Sequence, residues 1–209
     1  MEGSAYLDEL ESKSINIIRE AYWHYKEKLA VLWSMGKDST TLVHLVRKAF
    51  LGEMSISFIH IDTTFKFKQI YAFRDKYAKE WGVNLVIVKN TAALVRGMSP
   101  DKNRFNCCDS LKTEALKQAL EEFDFKVLLL AIRRDEHLIR AKERYFSPRD
   151  KEFKWDYFDQ PLEMWAQHYK TGHVVGGHLR VHPMLAWREI DIWRYIKREK
   201  LPVVDLYFA

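Results

Sequence analysis

Residues 34–39 read Ser-Met-Gly-Lys-Asp-Ser, a polar loop that sets hydroxyls, an ammonium and a carboxylate around one glycine. The apolar run Leu29 to Trp33 precedes it, and Leu42, Leu45, Val46 and Ala49 follow at the spacing of one helical face. A strand, a tight loop and a helix N-terminus in that order make an anion site. The first backbone N–H groups of the helix lack internal partners, and the helix dipole favours negative charge there. Gly36 permits close backbone approach, Lys37 brings a positive charge, and Ser34 and Ser39 offer hydroxyls. The loop is not a Walker A motif, which would put glycine where Val31 stands and a hydroxyl residue where Asp38 stands. An aspartate among phosphate ligands can orient the loop, hold a metal, or face a substrate that is not simply an anion.

A second chemical stretch runs from Arg133 to Arg144, Arg-Arg-Asp-Glu-His-Leu-Ile-Arg-Ala-Lys-Glu-Arg. On a helix, Arg133, Arg140 and Arg144 would share roughly one face, and the guanidinium fork suits phosphate or sulfate oxygens. The plainer reading is a solvated helix whose Asp135, Glu136 and Glu143 neutralise those arginines. Placement directly after a buried strand favours the anion reading. His60 and Asp62 end another apolar strand. His60 reads as a core histidine or as half of a metal or general-base pair. Asp62 reads as a helix cap, or as a ribose ligand by analogy with the acidic strand-end residue of dinucleotide folds. Cys107 and Cys108 are the only cysteines, too few to complete a zinc site or an iron–sulfur cluster. They read as buried thiols or a helix start. The histidines show no ligand spacing, so no protein-built metal site is expected.

These groups need elements to hold them. An amphipathic helix is predicted over 6–27, strands at Leu29 to Trp33, Met54 to Asp62, Asn84 to Val88, Lys126 to Ile132 and Leu179 to His182, and helices between them. The later helices cover Ser110 to Phe123 and Glu189 to Glu199, the last with Ile190, Trp193 and Ile196 inward. Alternation of strands and helices implies an α/β, doubly wound, mostly parallel five-stranded sheet with helices on both faces. Ligands then bind beyond the C-terminal strand ends, where the loop of 34–39, His60 to Asp62 and Arg133 to Asp135 would converge. Residues 147–178 lose periodicity and read as a lid-like excursion, not a second domain. Trp155, Trp165, Trp187 and Trp193 read as core and lid packing.

The chain of 209 residues is long enough for one domain over 1–209, and 47% hydrophobic with 30% charged residues is globular. No apolar run reaches membrane length and no signal-peptide pattern opens the chain. Two cysteines point to a reducing cytoplasm. The formal net charge of +5 suits nucleic acid, or an enzyme with anionic substrates. Much of the excess lies between Arg133 and Arg149.

The loop of 34–39 resembles the pyrophosphate loop (PP-loop) of the adenine-nucleotide alpha-hydrolase superfamily, whose members split ATP between the α- and β-phosphates. Further strings narrow this. They are His60-Ile61-Asp62-Thr63, Lys112-Thr113-Glu114-Ala115-Leu116-Lys117-Gln118-Ala119-Leu120, Arg133-Arg134-Asp135-Glu136, Arg140-Ala141-Lys142-Glu143-Arg144 and Trp193. Together they are similar to the small catalytic subunits of bacterial sulfate adenylyltransferases, within the phosphoadenosine-phosphosulfate reductase family. The likeness spans about Leu7 to Ala209, a single PP-loop ATP-binding domain. It implies transfer of AMP from ATP to sulfate with Mg²⁺, giving adenosine 5′-phosphosulfate and pyrophosphate, beside a GTPase large subunit. It implies that Ser34, Gly36, Lys37, Asp38, Ser39, His60, Asp62 and Thr63 bind ATP. Arg133, Arg134, Arg140, Lys142 and Arg144 would bind sulfate, and Lys37, Arg133, Arg134 and Arg140 would act in catalysis. Members of that family extend beyond the Leu-Tyr-Phe-Ala at which this sequence stops. Asn106-Cys107-Cys108 also resembles sulfonucleotide reductases, and the basic balance allows an ATP-using RNA base modifier. Lys37-Asp38-Ser39 favours a user of ATP. No membrane partner is implied, and nucleic acid is disfavoured.

Overall fold

The computed structural model describes residues 2–53, 55–101, 103–164, 168–169 and 176–208. Helix α1 (Glu2–Tyr25) leads into β1 (Leu29–Leu32), and the polar loop then opens onto α2 (Lys37–Ala49). β2 (Ser57–Ile61), α3 (Lys68–Glu80), β3 (Asn84–Val88) and a short α4 (Thr91–Val95) follow. α5 (Arg104–Cys108) runs through a π-helical segment (Asp109–Glu114) into α6 (Ala115–Glu122), which delivers the chain to β4 (Val127–Leu129). An excursion carries β5 (Phe146–Arg149), β6 (Glu163–Met164) and β7 (His168–Tyr169). The chain returns as β8 (His178–Val181), then α7 (Glu189–Glu199) and a 3₁₀ turn, Asp205–Tyr207.

The main sheet has the order β3-β2-β1-β4-β8-β5. The five strands expected from the sequence pair in parallel. A sixth, β5, pairs antiparallel with β8 inside the stretch that reads as irregular. Pro148 and the polar Ser147 and Arg149 hide its strand signal. An edge position tolerates the missing proline N–H. β6 and β7 form a separate pair. Met54, Trp165 and Gly172, on which parts of the strand and lid readings fall, lie outside the described residues.

Successive residues of β1 go to opposite cores. Leu29 and Val31 meet α1, α2, α3 and α7, while Ala30 and Leu32 meet Ala115, Leu116, Ala119 and Leu120 of α6. A strand buried on both faces reads as an unbroken apolar run, which is the pattern seen here. α7 is rotated from its expected face. Ile192, Tyr195 and Ile196 are buried, whereas Ile190 is 47% exposed. Two contacts set that rotation: Asp191, itself buried, accepts from the Arg188 N–H at 3.0 Å, and Tyr195 packs edge-on against Trp187.

From β1 the chain steps outward to β2 and β3, then crosses back to β4 on the other side of β1. The loops leaving β1 and β4 therefore diverge, and the crevice between them is where such sheets take ligands.

Among the described residues, three buried histidines line this architecture: His60 on β2, His178 on β8 and His182 just beyond it. Burial is the first cause in each case. It lowers His60 and His182 from 6.5 to about 4 and His178 to about 3, helped by nearby Lys66, Arg180 and Arg149. Between those limits the unfolded chain binds protons that the folded chain refuses, so stability falls as pH falls through that window. Thermal melts are expected to decline steadily once the pH drops below about 6.5. A melting temperature that stays flat from pH 7 to pH 5 would contradict the neutral, buried state of these rings.

Candidate active site

The loop after β1 is fixed from below before it offers anything to a ligand. The fully buried Trp33 donates its indole N–H to Thr40 Oγ1 at 3.1 Å, and its backbone N–H bonds to Ile59. Met35 is buried with φ at 69°, a left-handed conformation that costs a residue with a Cβ roughly 1–2 kcal/mol. Ser39 donates to the Gly36 carbonyl at 3.0 Å and lies 3.0 Å from the Ser34 hydroxyl. Lys37 begins α2 with Gly36 as its N-cap. The hydroxyls thus shape the loop, and the first helical N–H groups point out of it.

Above the loop lies a cluster of ion pairs. The Lys37 ammonium sits 2.9 Å from Asp38 and 3.1 Å from Glu189. Burial alone would lower its pKa, but those two carboxylates outweigh burial and hold it above the ordinary value. The Arg133 guanidinium contacts Asp38, Asp135 at 2.9 Å and Glu189 at 2.7 Å. The Arg133 N–H donates to Glu136 at 3.2 Å, and Asp135 accepts the Glu189 N–H at 2.7 Å. The loop after β4 is in this way stitched to the loop after β1 and to the start of α7. Arg133 is 4% exposed and fully engaged with carboxylates.

The rest of the arginine block does not form the expected helical face. A turn precedes a single 3₁₀ segment, Leu138–Lys142. Arg134 stacks over Tyr145 and lies 4.0 Å from Glu163. Arg140 reaches Glu143 at 3.4 Å, and Lys142 lies over the Tyr157 ring. The Arg144 Nε is buried and its carbonyl accepts from His182. The loop gains Arg133 from this block, and the other cations diverge because the backbone abandons helical spacing after β4.

His60 donates through Nδ1 to the Trp33 carbonyl at 3.0 Å, leaving Nε2 to accept from Lys66 at 2.9 Å. Asp62 is buried and held by the Thr64 N–H, the Tyr71 hydroxyl and Lys89. Burial opposes its ionisation, but these donors prevail and keep its pKa at about 2. Asp62 caps a turn, not a helix, because α3 starts later with Phe67 as its N-cap. Thr63 is buried beside it. Cys107 packs in a small apolar cluster, and Cys108 is exposed and unpaired.

A cavity of about 330 Å³ opens between the loop, the end of β2 and α6. Leu32, Ile61, Leu116 and Phe153 give it apolar walls, and Ser34 joins it to the loop. Three cations line it, Lys66, Lys112 and Arg180, with the Thr113 hydroxyl. Among its described lining residues none is a carboxylate. Burial lowers Lys66 to about 8 against the attraction of Asp62, with Lys112 and Arg74 repelling it. Burial and then the charge of Arg149 lower Arg180 to about 10. This is an apolar crevice with a strong demand for an anion. Sequence reasoning missed Lys66, Arg180, Glu189 and Tyr207, whose hydroxyl accepts from the Lys37 N–H at 3.0 Å. Arg180 carried a signal, since a charged residue inside the buried strand His178–Val181 needs a reason.

Among the described residues, no helix is long and apolar enough to cross a membrane, and no cluster of three or more His, Cys, Asp or Glu is arranged for a metal ion. The profile of the phosphoadenosine phosphosulfate reductase domain matches residues 28–209. The chain is 44% identical over 206 residues to sulfate adenylyltransferase subunit 2 of Rhodospirillum rubrum, covering 98% of this chain and 69% of that protein. It is 42% identical over 207 residues to the Shewanella pealeana protein of the same name, covering 98% and 68%. Among solved structures, phosphoadenylyl-sulfate reductase from Candida auris in a phosphate complex superposes with a TM-score of 0.68 at 17% identity, covering 96% of this chain and 89% of that one. FMN adenylyltransferase from Candida glabrata in complex with ATP gives 0.69 at 16% identity, covering 97% and 58%. At that identity the structural likeness speaks to the fold alone.

Proposed function

Because the chain belongs to the phosphoadenosine phosphosulfate reductase domain family, we propose that it is an ATP-dependent nucleotidyltransferase that passes the adenylyl group of ATP to sulfate. Its similarity to sulfate adenylyltransferase subunit 2 over nearly all its length supports that reading. The observation that carries it is the pairing of two anion demands across one crevice: the helix N-terminus with Lys37 on one side, and Lys66, Lys112 and Arg180 on the other.

The chemistry asks for little covalent participation. An oxygen of sulfate attacks the α-phosphorus, a P–O bond forms, and the bond to the bridging oxygen between Pα and Pβ breaks. Pyrophosphate leaves with the electron pair. The protein must align acceptor and leaving group on opposite sides of the phosphorus and stabilise charge on each. The apolar cavity walls take the base, the 34–39 loop takes the leaving pyrophosphate, and the cavity cations offset repulsion between sulfate and the α-phosphate. A Mg²⁺ ion, which the resemblance implies, would supply neutralising charge on the phosphates. Asp38, whose carboxylate lies against the Lys37 ammonium, would offer the hard oxygens such an ion accepts beside phosphate. Arg133 binds no acceptor in this scheme; it locks the loops together. Arg134 and Arg140, each about a third exposed, stand on the loops bordering the site.

Transfer to sulfate makes a high-energy mixed anhydride and runs uphill, and relatives are named as subunit 2 of their enzyme. A second, GTP-hydrolysing subunit therefore belongs to the proposal. The two unpaired thiols fit a cytoplasmic setting.

Labelled pyrophosphate is expected to exchange into ATP only when sulfate, Mg²⁺ and the partner subunit are present. No exchange under those conditions would sink the proposal. Arg180→Ala is expected to raise the sulfate concentration for half-maximal exchange about tenfold, with ATP affinity little changed. An unaltered sulfate dependence would move the acceptor out of the cavity.

A further inference from the structure

The donors that Lys37 would present to a diphosphate are already occupied by other parts of the chain. Its backbone N–H, at the head of α2, donates to the Tyr207 hydroxyl at 3.0 Å. Its ammonium lies against Asp38 and Glu189. Glu189 and Tyr207 come from α7 and the 3₁₀ turn that follows it, elements remote in sequence from the loop they cover. Trp193 completes the cover. Its indole N–H donates to Glu189 at 3.0 Å, and its ring packs edge-on against Tyr207 with centroids 5.5 Å apart. The Lys37 ammonium lies 5.9 Å from both rings.

A hydroxyl oxygen on a helix N-terminal N–H and a carboxylate on the lysine reproduce, from protein atoms, the oxygen ligands that a diphosphate would bring. These are not buried bonds. Tyr207 is 42% exposed and the Glu189 side chain 49%, in contrast to Arg133 and Asp191 beneath them. Exposed contacts of this kind hold a resting geometry and exchange readily, because water replaces them at small cost.

We infer that Glu189 and Tyr207 form a displaceable latch on the loop, stand-ins that a diphosphate must evict from Lys37 and that return when it leaves. The inference rests on reading the loop as the pyrophosphate site, and it adds a role for two residues outside that loop. Once evicted, Tyr207 frees the Lys37 N–H, and Glu189 keeps Arg133 as its partner. Apparent affinity for the diphosphate is reduced by the share of molecules that are latched. Release of the leaving group is correspondingly eased, since protein oxygens refill the donors as it departs.

The test measures binding of inorganic pyrophosphate alone, with a chelator to exclude metal, by calorimetry and by tryptophan fluorescence. Tyr207→Phe keeps the ring and removes only the competing oxygen. Glu189→Gln keeps the size and removes the charge. Each is expected to tighten pyrophosphate binding about three- to tenfold, and the double variant more than either, the range that loss of one exposed competing contact allows. Weaker binding in Tyr207→Phe would overturn the inference, because the hydroxyl would then be serving the anion. Unchanged binding in both variants, with the wild type binding normally, would overturn the latch alone. No pyrophosphate binding in any form of the protein would overturn the reading of the loop and the latch with it.

Discussion

Lys37→Ala is expected to reduce sulfate-dependent exchange of pyrophosphate into ATP by about two to three orders of magnitude, the usual cost of removing one preorganised group from developing charge. The charge that needs stabilising is on the departing pyrophosphate, and Lys37 brings both an ammonium and a helix N-terminal N–H to it. Alanine removes only the ammonium, so the backbone bond to Tyr207 survives. Asp38 and Glu189 retain Arg133 as a partner, which limits damage to the fold. The melting temperature should therefore stay close to that of the wild type while exchange collapses. Exchange that survives the substitution would remove the loop from the chemistry. Unfolding would show that the ion cluster, not the ligand, is what Lys37 serves.

The largest effect on stability is expected at Glu143, which precedes β5 in the chain. Its carboxylate is fully buried and accepts from Arg149 at 2.7 Å, from the Ser147 hydroxyl at 2.7 Å and from Arg140 at 3.4 Å. His182 stands 3.9 Å away. Glu143→Ala leaves the Arg149 guanidinium, 3% exposed, without its counter-charge, and stranding one member of a buried pair costs about 3–5 kcal/mol. Against the 5–15 kcal/mol that holds a typical domain together, that is most of the margin. Urea unfolding is the measurement. Glu143→Gln, which keeps the shape and part of the bonding, should fall between wild type and alanine. A loss below about 1 kcal/mol would mean that Arg149 finds water or another partner.

What the sequence made legible follows from how local each signal is. The loop of 34–39 needs only its neighbours, a strand before and a helix after, and both are present. β3 and α7 begin and end where their periodicity places them, and the parallel order follows from alternation. The arginine block does not take the helical face that its spacing implies, because spacing has that meaning only on an α-helix. Asp135 and Glu136 instead turn back onto Arg133 and α7, a choice made by Glu189, remote in the chain. The cavity was out of reach for the same reason. Lys66, Lys112 and Arg180 come from separate segments and become one site only when β2, α6 and β8 are folded together. Thr113 and Lys112 were visible within a family string, but nothing local said which way they would face.

The two rims of the sheet also differ in what they offer to a second chain. On one rim stands β5, where Pro148 has no N–H to give, so strand-to-strand addition is hindered there. The opposite rim is β3, Asn-Leu-Val-Ile-Val, with Ile87 44% exposed and no proline or internal charge to interrupt it. Self-association in concentrated solution should therefore begin along β3. A lysine at Ile87 is the substitution that would keep the protein dispersed without approaching the crevice at all.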